Sequence, residues 1–200
     1  VIEALCSDWI TQGPLVEEFE ARVAEYCGAR YGVAFNSGTS ALHAGMYAAG
    51  IEGGDEVITT PLTFVATANA ALYVGARPVF VDIDEKTYCI DTERIEAAIT
   101  SRTRAIVPVD YAGYPVEMKR IKEIADKYNL VVIEDAAHAL GAVREATKVG
   151  TQADMTMFSF HPVKHITTGE GGMIICNNPD YYERLKLFRN HGITKEAEYL

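Results

Sequence analysis

The sequence has few of the features by which proteins bind nucleic acid, zinc or a membrane. Lysine and arginine total 18 against 28 aspartates and glutamates, which leaves a net charge of −10. Without basic clusters, such a chain is not expected to bind nucleic acid. No segment reaches the roughly 18 apolar residues of a membrane-spanning helix, so we expect no membrane partner. The cysteines are scattered, which does not match zinc-ligand spacing and fits reduced thiols in a cytoplasmic protein: Cys6, Cys27, Cys89 and Cys176.

The chain also lacks a dinucleotide-binding motif and an internal boundary. No G-x-G-x-x-G follows the first predicted strand, which argues against a Rossmann dehydrogenase. No repeat or low-complexity linker divides the 200 residues, so we predict one domain over 1–200. Because the sequence starts at Val1 rather than Met and stops at Leu200 without a closing signal, we expect a fragment of a longer protein.

Helical patterns alternate with short β-branched runs along the whole chain. Apolar residues at helical spacing predict helices at 15–27, 38–49, 63–74, 92–99, 117–128 and 180–189. Apolar runs predict strands at 31–35, 56–60, 77–81, 104–109, 130–133, 155–160 and 172–176. This alternation predicts the α/β class, with a mainly parallel sheet between helices. The strand at 130–133 is almost entirely apolar, so we expect helices to cover both of its faces.

One lysine and one strand-end aspartate point to a specific cofactor. Asp135 follows the apolar strand, where ligands bind in open α/β sheets, and Lys164 stands among apolar and glycine residues. A lysine amine that holds an aldehyde and a carboxylate that keeps a pyridine nitrogen protonated are what pyridoxal 5'-phosphate (PLP) chemistry needs. Burial would lower the pKa of the lysine and make it a better nucleophile. Taken alone, Asp135 could instead be a structural acid, as could Asp110, and Lys164 a surface residue.

Two segments are candidate phosphate ligands. Gly38, Thr39 and Ser40 open a predicted helix directly after a strand, where backbone amides and hydroxyl groups can hold an anion. An ordinary helix cap explains the same pattern. Ser159 ends a later strand and could supply a second hydroxyl group, although buried serines more often bind backbone.

Two ring-bearing side chains complete the candidate site. His138 follows Asp135 by three residues and could lie against a planar ring or bond to its oxygen, or it could be a structural histidine. Phe64 is predicted at the start of the helix over 63–74. It could stack on a planar ring or belong to the core.

Together these segments resemble the DegT/DnrJ/StrS group of sugar aminotransferases, which have the aspartate-aminotransferase-like fold, fold type I. The resemblance runs from about residue 9 to 192. Four segments carry it in the family's order: Asn36 to Leu42, Thr60 to Phe64, Glu134 to Ala139, and Phe158 to Gly172. Single motifs of this kind are weak, and four in order are specific.

The resemblance implies a role for each candidate residue. Lys164 would be the Schiff-base lysine, Asp135 the partner of the pyridine nitrogen and Phe64 the stacking ring. Phosphate contacts would come from Thr39, Ser40 and Ser159, with Gly38 allowing close approach and His138 beside the cofactor. The resemblance further implies a homodimer with a shared active site, and a small C-terminal domain that is missing from these residues.

Two stretches, at 109–113 and 159–164, are similar to the branch of the family that makes UDP-4-amino-4,6-dideoxy-N-acetyl-β-L-altrosamine on the pseudaminic acid route. This similarity implies a nucleotide-linked 4-keto-6-deoxy sugar as acceptor and an amino acid, glutamate by family analogy, as donor. Alternatives are a transaminase for another nucleotide keto sugar, a dehydratase of the same family, or a non-catalytic sensor. The dehydratases replace the lysine by histidine, so Lys164 counts against that alternative.

Overall fold

The structure is a computed structural model that describes residues 1–193. Its α-helices are α1 (Ile2–Leu5), α2 (Pro14–Cys27), α3 (Gly38–Ala48), α4 (Ala66–Tyr73), α5 (Thr92–Ala98), α6 (Met118–Tyr128) and α7 (Pro179–Arg189). Its strands are β1 (Tyr31–Phe35), β2 (Glu56–Thr59), β3 (Arg77–Phe80), β4 (Thr103–Ile106), β5 (Val131–Asp135), β6 (Val143–Arg144), β7 (Thr147–Lys148), β8 (Met155–Ser159) and β9 (Gly172–Cys176). A short 3₁₀ helix spans Tyr111–Gly113.

Seven of these strands form one mixed sheet in the order β1-β9-β8-β5-β4-β2-β3. The pairs from β8 to β3 are parallel, whereas β9 runs antiparallel to both of its neighbours. The predicted mainly parallel sheet is therefore confirmed. Strands β6 and β7 form a separate two-stranded hairpin.

The middle of the sheet is covered on both faces. In β5, the fully buried Val132 packs with the apolar residues of α5 and α6, while the fully buried Ile133 packs with those of α3, α4 and α7. Successive side chains of a strand point to opposite faces, so these two clusters lie on opposite sides. A third cluster places α2 against β8 and β9. Helices layered on both faces explain why the central strands are apolar throughout.

Local sequence explains where several elements begin and end. Pro14 stands in the first turn of α2, where its missing N–H group costs nothing, and Gly28 ends that helix with φ +83°. Helix α3 begins with a capping box, in which the Ser37 hydroxyl accepts from the Ser40 amide at 3.1 Å.

Several local features differ from the sequence prediction, among them β4, which ends at Ile106 rather than at residue 109. Helix α4 begins at Ala66 rather than residue 63, because its first i to i+4 bond runs from the Asn69 amide to the Val65 oxygen at 2.9 Å. Strand β5 continues to Asp135 instead of ending at residue 133, since β8 pairs with it that far. Helix α1 and the β6–β7 hairpin were not predicted, and all three elements are short. Among residues 1–193, no helix combines the length and apolar character needed to cross a bilayer.

Candidate active site

A cleft of about 420 Å³ opens at the carboxyl ends of β1, β5 and β8. Parallel strands end at one edge of a sheet, which is where α/β folds bind ligands. Seven of the eight residues predicted for the site line this cleft: Gly38, Thr39, Phe64, Asp135, His138, Ser159 and Lys164. Tertiary structure thus brings together side chains that are up to 126 positions apart in sequence, from Gly38 to Lys164.

Ser40 is the predicted residue that does not line the cleft. Its hydroxyl group donates within the capping box, to the Ser37 oxygen at 2.9 Å or to the Asn36 side chain, and accepts from the Ser37 amide at 3.2 Å. The Ser40 side chain thus takes part in a helix cap, the alternative that the sequence left open for this motif. Thr39, one residue earlier, faces the cleft instead.

One end of the cleft is built to accept an anion. The first amides of α3, including those of Gly38 and Thr39, have no carbonyl of their own helix to bond. Ser159 lies against Gly38: a β-carbon added to the glycine would lie 3.1 Å from Ser159 Cβ and 3.2 Å from Met157 Sδ. Glycine therefore lets strand β8 and the helix N-terminus approach each other, and hydroxyl groups from Thr39 and Ser159 flank the amides.

At the centre of the cleft, Asp135 is 5% exposed and incompletely paired. Its Oδ2 accepts from Thr67 Oγ1 at 2.7 Å and its Oδ1 from the Ala137 amide at 3.2 Å. Burial raises the pKa of Asp135 above its ordinary value, while the two hydrogen bonds and the nearby Lys164 oppose that rise. A cationic N–H group from a ligand would therefore stabilise the ionised form.

Lys164 lines the same cleft from the loop after β8, close enough for its charge to act on Asp135. Its backbone amide donates to the His161 oxygen at 2.9 Å, which closes a turn that presents the side chain to the cleft. Burial lowers the pKa of the Lys164 amine, and the charge of Asp135 acts in the opposite direction. A lowered pKa increases the fraction of free amine that can act as a nucleophile or base.

The two ring-bearing residues lie at the sides of the cleft. His138 is partly buried, and burial followed by the charges of Lys164 and His165 lowers its pKa. A neutral imidazole is therefore favoured next to the lysine. Phe64 is 74% exposed and lies in the loop before α4, not in the helix as the sequence predicted. Its ring is thus available for a ligand rather than used in the core.

Comparison with known proteins identifies the family. The profile of the DegT/DnrJ/EryC1/StrS aminotransferase family matches residues 1–200. The chain belongs to this family. The resemblance drawn from the four motifs is therefore confirmed, and enzymes of the family are sugar aminotransferases that use PLP.

Two curated relatives illustrate the similarity. An uncharacterised protein of Methanocaldococcus jannaschii is 52% identical over 197 residues, 98% of this chain and 51% of that protein. GDP-perosamine synthase of Caulobacter vibrioides is 45% identical over 200 residues, 100% of this chain and 54% of that enzyme. The chain therefore spans about half the length of these curated relatives.

A solved structure confirms the fold. Helicobacter pylori PseC, an aminotransferase involved in the biosynthesis of pseudaminic acid, superposes with a TM-score of 0.92 at 41% sequence identity. The match covers 100% of this chain and 54% of that one. The fold is that of the PLP-dependent sugar aminotransferases of the DegT family, as the sequence predicted.

Thr67 is a site residue that sequence reasoning missed. Its hydroxyl group bonds Asp135 and also lies 2.9 Å from Thr63 Oγ1. A lone threonine within an alanine-rich helix has no sequence signature. Only the packing of α4 against the end of β5 shows that Thr67 orients the aspartate.

Proposed function

We propose that this chain is the cofactor-binding large domain of a PLP-dependent sugar aminotransferase. The observation that carries the proposal is the cleft itself, which Lys164 and Asp135 line together with the N-terminus of α3. Within one cleft, a lysine, a strand-end aspartate and a helix N-terminus match the aldehyde, the pyridine nitrogen and the phosphate of PLP. Membership of the DegT family supports this assignment independently.

The residues present fit the cofactor. The N-terminus of α3 at Gly38, where the absence of a β-carbon lets Ser159 approach, would receive the phosphate with help from Thr39 and Ser159. Asp135 has capacity left for the protonated pyridine nitrogen, and Phe64 offers a ring face. When bound, PLP supplies an electrophilic carbon and an electron-withdrawing ring.

Each polar residue has a defined task in this proposal. Lys164 would hold the aldehyde of the bound cofactor, and its amine, once free, would move a proton at the substrate carbon as general base and then acid. Asp135 would hold a proton on the ring nitrogen, and Thr67 orients the aspartate through its 2.7 Å bond. Two half-reactions in one site predict ping-pong kinetics.

For the substrate, we propose a nucleotide-linked 4-keto-6-deoxy sugar, specifically a UDP-sugar on the pseudaminic acid route, with glutamate as amino donor. The similarity of residues 109–113 and 159–164 to that branch supports it, as does the likeness to PseC. A transaminase for another nucleotide keto sugar is the second candidate, supported by the similar identity to GDP-perosamine synthase.

We further propose a homodimer with a shared active site. The support is the exposure of apolar groups along one side of the cleft, where Phe64 is 74% and Val163 77% exposed. A partner surface and a C-terminal domain would exclude water from this side. The test mixes Lys164→Ala subunits of the full-length protein with subunits mutated in the segment that each subunit would contribute to the cleft of the other. Restored activity supports a shared site, and mixed dimers without activity contradict it.

The test of the function is a visible spectrum of the full-length protein loaded with PLP. Glutamate should bleach the absorbance of the bound cofactor, and the correct UDP-linked keto sugar should restore it. A spectrum that stays unchanged with every amino donor would favour the non-catalytic sensor. Bleaching followed by recovery only with GDP- or TDP-linked sugars would keep the transaminase and reject the UDP assignment.

The remaining proposals concern location. We propose a cytoplasmic enzyme without nucleic-acid or membrane partners. The free state of all four cysteines and the net charge of −10 support it.

A further inference from the structure

Two more buried acids lie next to Asp135 and have no role in the site described above. Asp110 and Glu134 are 1% and 3% exposed. The Asp110 amide donates to the Asp135 backbone oxygen at 3.0 Å. Glu134 precedes Asp135 in β5, so its side chain points to the opposite face of the sheet, where it lines a second, polar cleft of about 240 Å³.

The hydrogen bonds of these acids leave one atom without a donor. Asp110 Oδ1 accepts from the Val116 amide at 2.9 Å, and Glu134 Oε2 accepts from Thr156 Oγ1 at 2.8 Å. Asp110 Oδ2 is buried, and no donor within residues 1–193 reaches it. The carboxyl groups of Asp110 and Glu134 lie within hydrogen-bonding distance of each other. Two ionised carboxylates cannot bond to each other, whereas one proton between them satisfies the orphaned oxygen.

We propose that Asp110 and Glu134 share a single proton at neutral pH and thereby limit the negative charge beside Asp135. They would be positioning residues that act through Asp135. Their effect on catalysis rests on the transaminase function proposed above, but the sharing of the proton does not.

The electrostatics of the three acids agree with this arrangement. Burial, followed by the charge of Glu134, raises the pKa of Asp110 well above its ordinary value, and burial raises the pKa of Glu134 to about 7. Burial raises the pKa of Asp135 too, but Thr67, an amide and Lys164 oppose the rise and favour its ionised form. With Asp135 ionised and one proton on the pair, the site carries two negative charges instead of three. A second negative charge on the pair would raise the pKa of Asp135 and of any ligand group bound to it.

The other titratable groups around the pair act differently between pH 5 and 8. Burial raises the pKa of Cys89, and of Cys27 to about 11, so both thiols stay neutral. The charged residues that line the second cleft together with Glu134 are Glu117, Lys119, Arg144, Glu145 and Lys148. Of these, Arg144 acts on Cys89 and Lys148 on Cys27. Burial lowers the pKa of His138, so its titration makes the stability of the protein rise with pH. The titration of Asp110 and Glu134 makes the stability fall with pH.

The experiment compares the cofactor-free full-length protein with its Asp110→Asn and Glu134→Gln variants. Each amide can still donate to the remaining acid, so the hydrogen bond persists without a shared proton. A raised folded-state pKa gives stability that is present below the unfolded pKa and lost as pH rises through the folded one. For one proton, the folding constant should fall about tenfold per pH unit between about pH 5 and 7. Both variants should lose this contribution, whereas Asp126→Asn, an exposed carboxylate of α6, should keep it.

Infrared spectroscopy of the unmodified protein tests the same proposal without depending on whether the variants fold. A protonated buried carboxyl group should give a carbonyl band at pH 6 that weakens as the pH rises. Absence of the band, or a pH slope that stays as steep in both variants as in the unmodified protein, overturns the shared proton; Asp135, whose pKa burial also raises, contributes equally to all three proteins. In the PLP-loaded enzyme, both variants should shift the alkaline limb of the kcat/KM profile, and an unshifted profile overturns the positioning role. If the protein proves not to be a transaminase, the carbonyl band and the pH slope should still be seen. Failure of the proposed function can therefore be distinguished from failure of the shared proton.

Discussion

Glu56 and Asp135 are both buried carboxylates of the same sheet, at opposite ends of parallel strands. Glu56 opens β2 and is 1% exposed, whereas Asp135 closes β5 and is 5% exposed. Glu56 accepts from Thr100 at 2.7 Å, Arg77 at 2.6 Å and Arg102 at 2.7 Å. Those donors, Thr100 and Arg77 first, lower the pKa of Glu56 to about 2.

Asp135 has no such set of partners. One hydroxyl group and one amide bind it, and burial raises its pKa. The difference separates a structural edge of the sheet from a ligand-binding edge. At the amino ends of the strands an acid is neutralised by two arginines and joins β2, β3 and the segment before β4. At the carboxyl ends an acid is left with capacity for a cationic ligand.

The largest expected effect at the carboxyl edge comes from Lys164→Ala. Without the amine, covalent attachment of PLP should be lost and transamination should fall by more than about 10⁴-fold, the upper range for a general acid–base catalyst. Borohydride reduction followed by peptide mapping measures attachment. Lys186→Ala, on the exposed side of α7, is the matched control and should retain both properties. Cofactor fixed to the same peptide in the Lys164 variant would reject the assignment.

Asp135→Asn should have the next largest effect. The fold and PLP binding should persist, but turnover should fall by about 10²–10³-fold or more, because an amide does not hold the ring proton by charge. Stopped-flow measurement of the glutamate half-reaction tests it. Near wild-type turnover would show that Asp135 is a structural acid like Glu56.

Thr67→Val tests whether the sparse pairing of Asp135 matters. Loss of a hydrogen bond to a charged group should reduce turnover by about tenfold, since the aspartate loses its 2.7 Å donor. Thr67→Ser keeps the hydroxyl group and should restore most of the activity. If the valine and serine variants behave alike, the hydroxyl group has no role in orienting Asp135.

Glu56→Gln should have the smallest effect on activity and a distinct effect on stability. The depressed pKa of Glu56 contributes stability that is present above its unfolded pKa and lost as pH falls through about 2. The variant should therefore melt at a lower temperature at pH 6, and the difference should shrink towards pH 2. Glu183→Gln, an exposed carboxylate, serves as the control. A large loss of turnover in Glu56→Gln, with an unchanged melting temperature, would contradict the structural role of Glu56.

Sequence reasoning predicted most of the fold because periodicity is a local property. The strands at 31–35 and 172–176 have the predicted bounds, and the apolar run at 130–133 is covered on both faces. The short elements were missed because two- to four-residue segments carry too little pattern. Phe64 was assigned to a helix because its neighbours favour helix, whereas the first hydrogen bonds of α4 begin later.

The sequence by itself determined the residue types of the site and their order along the chain. Motifs around Gly38, Asp135 and Lys164 were sufficient to indicate PLP chemistry and the family, since the cofactor requires those groups. Tertiary structure decided which of the candidates meet. It placed Thr67 against Asp135, whereas the bonds of Ser40 lie within the local capping box. It also buried Asp110 beside Glu134, and burial and contact between distant segments, which raise the pKa of both acids, cannot be read from local sequence.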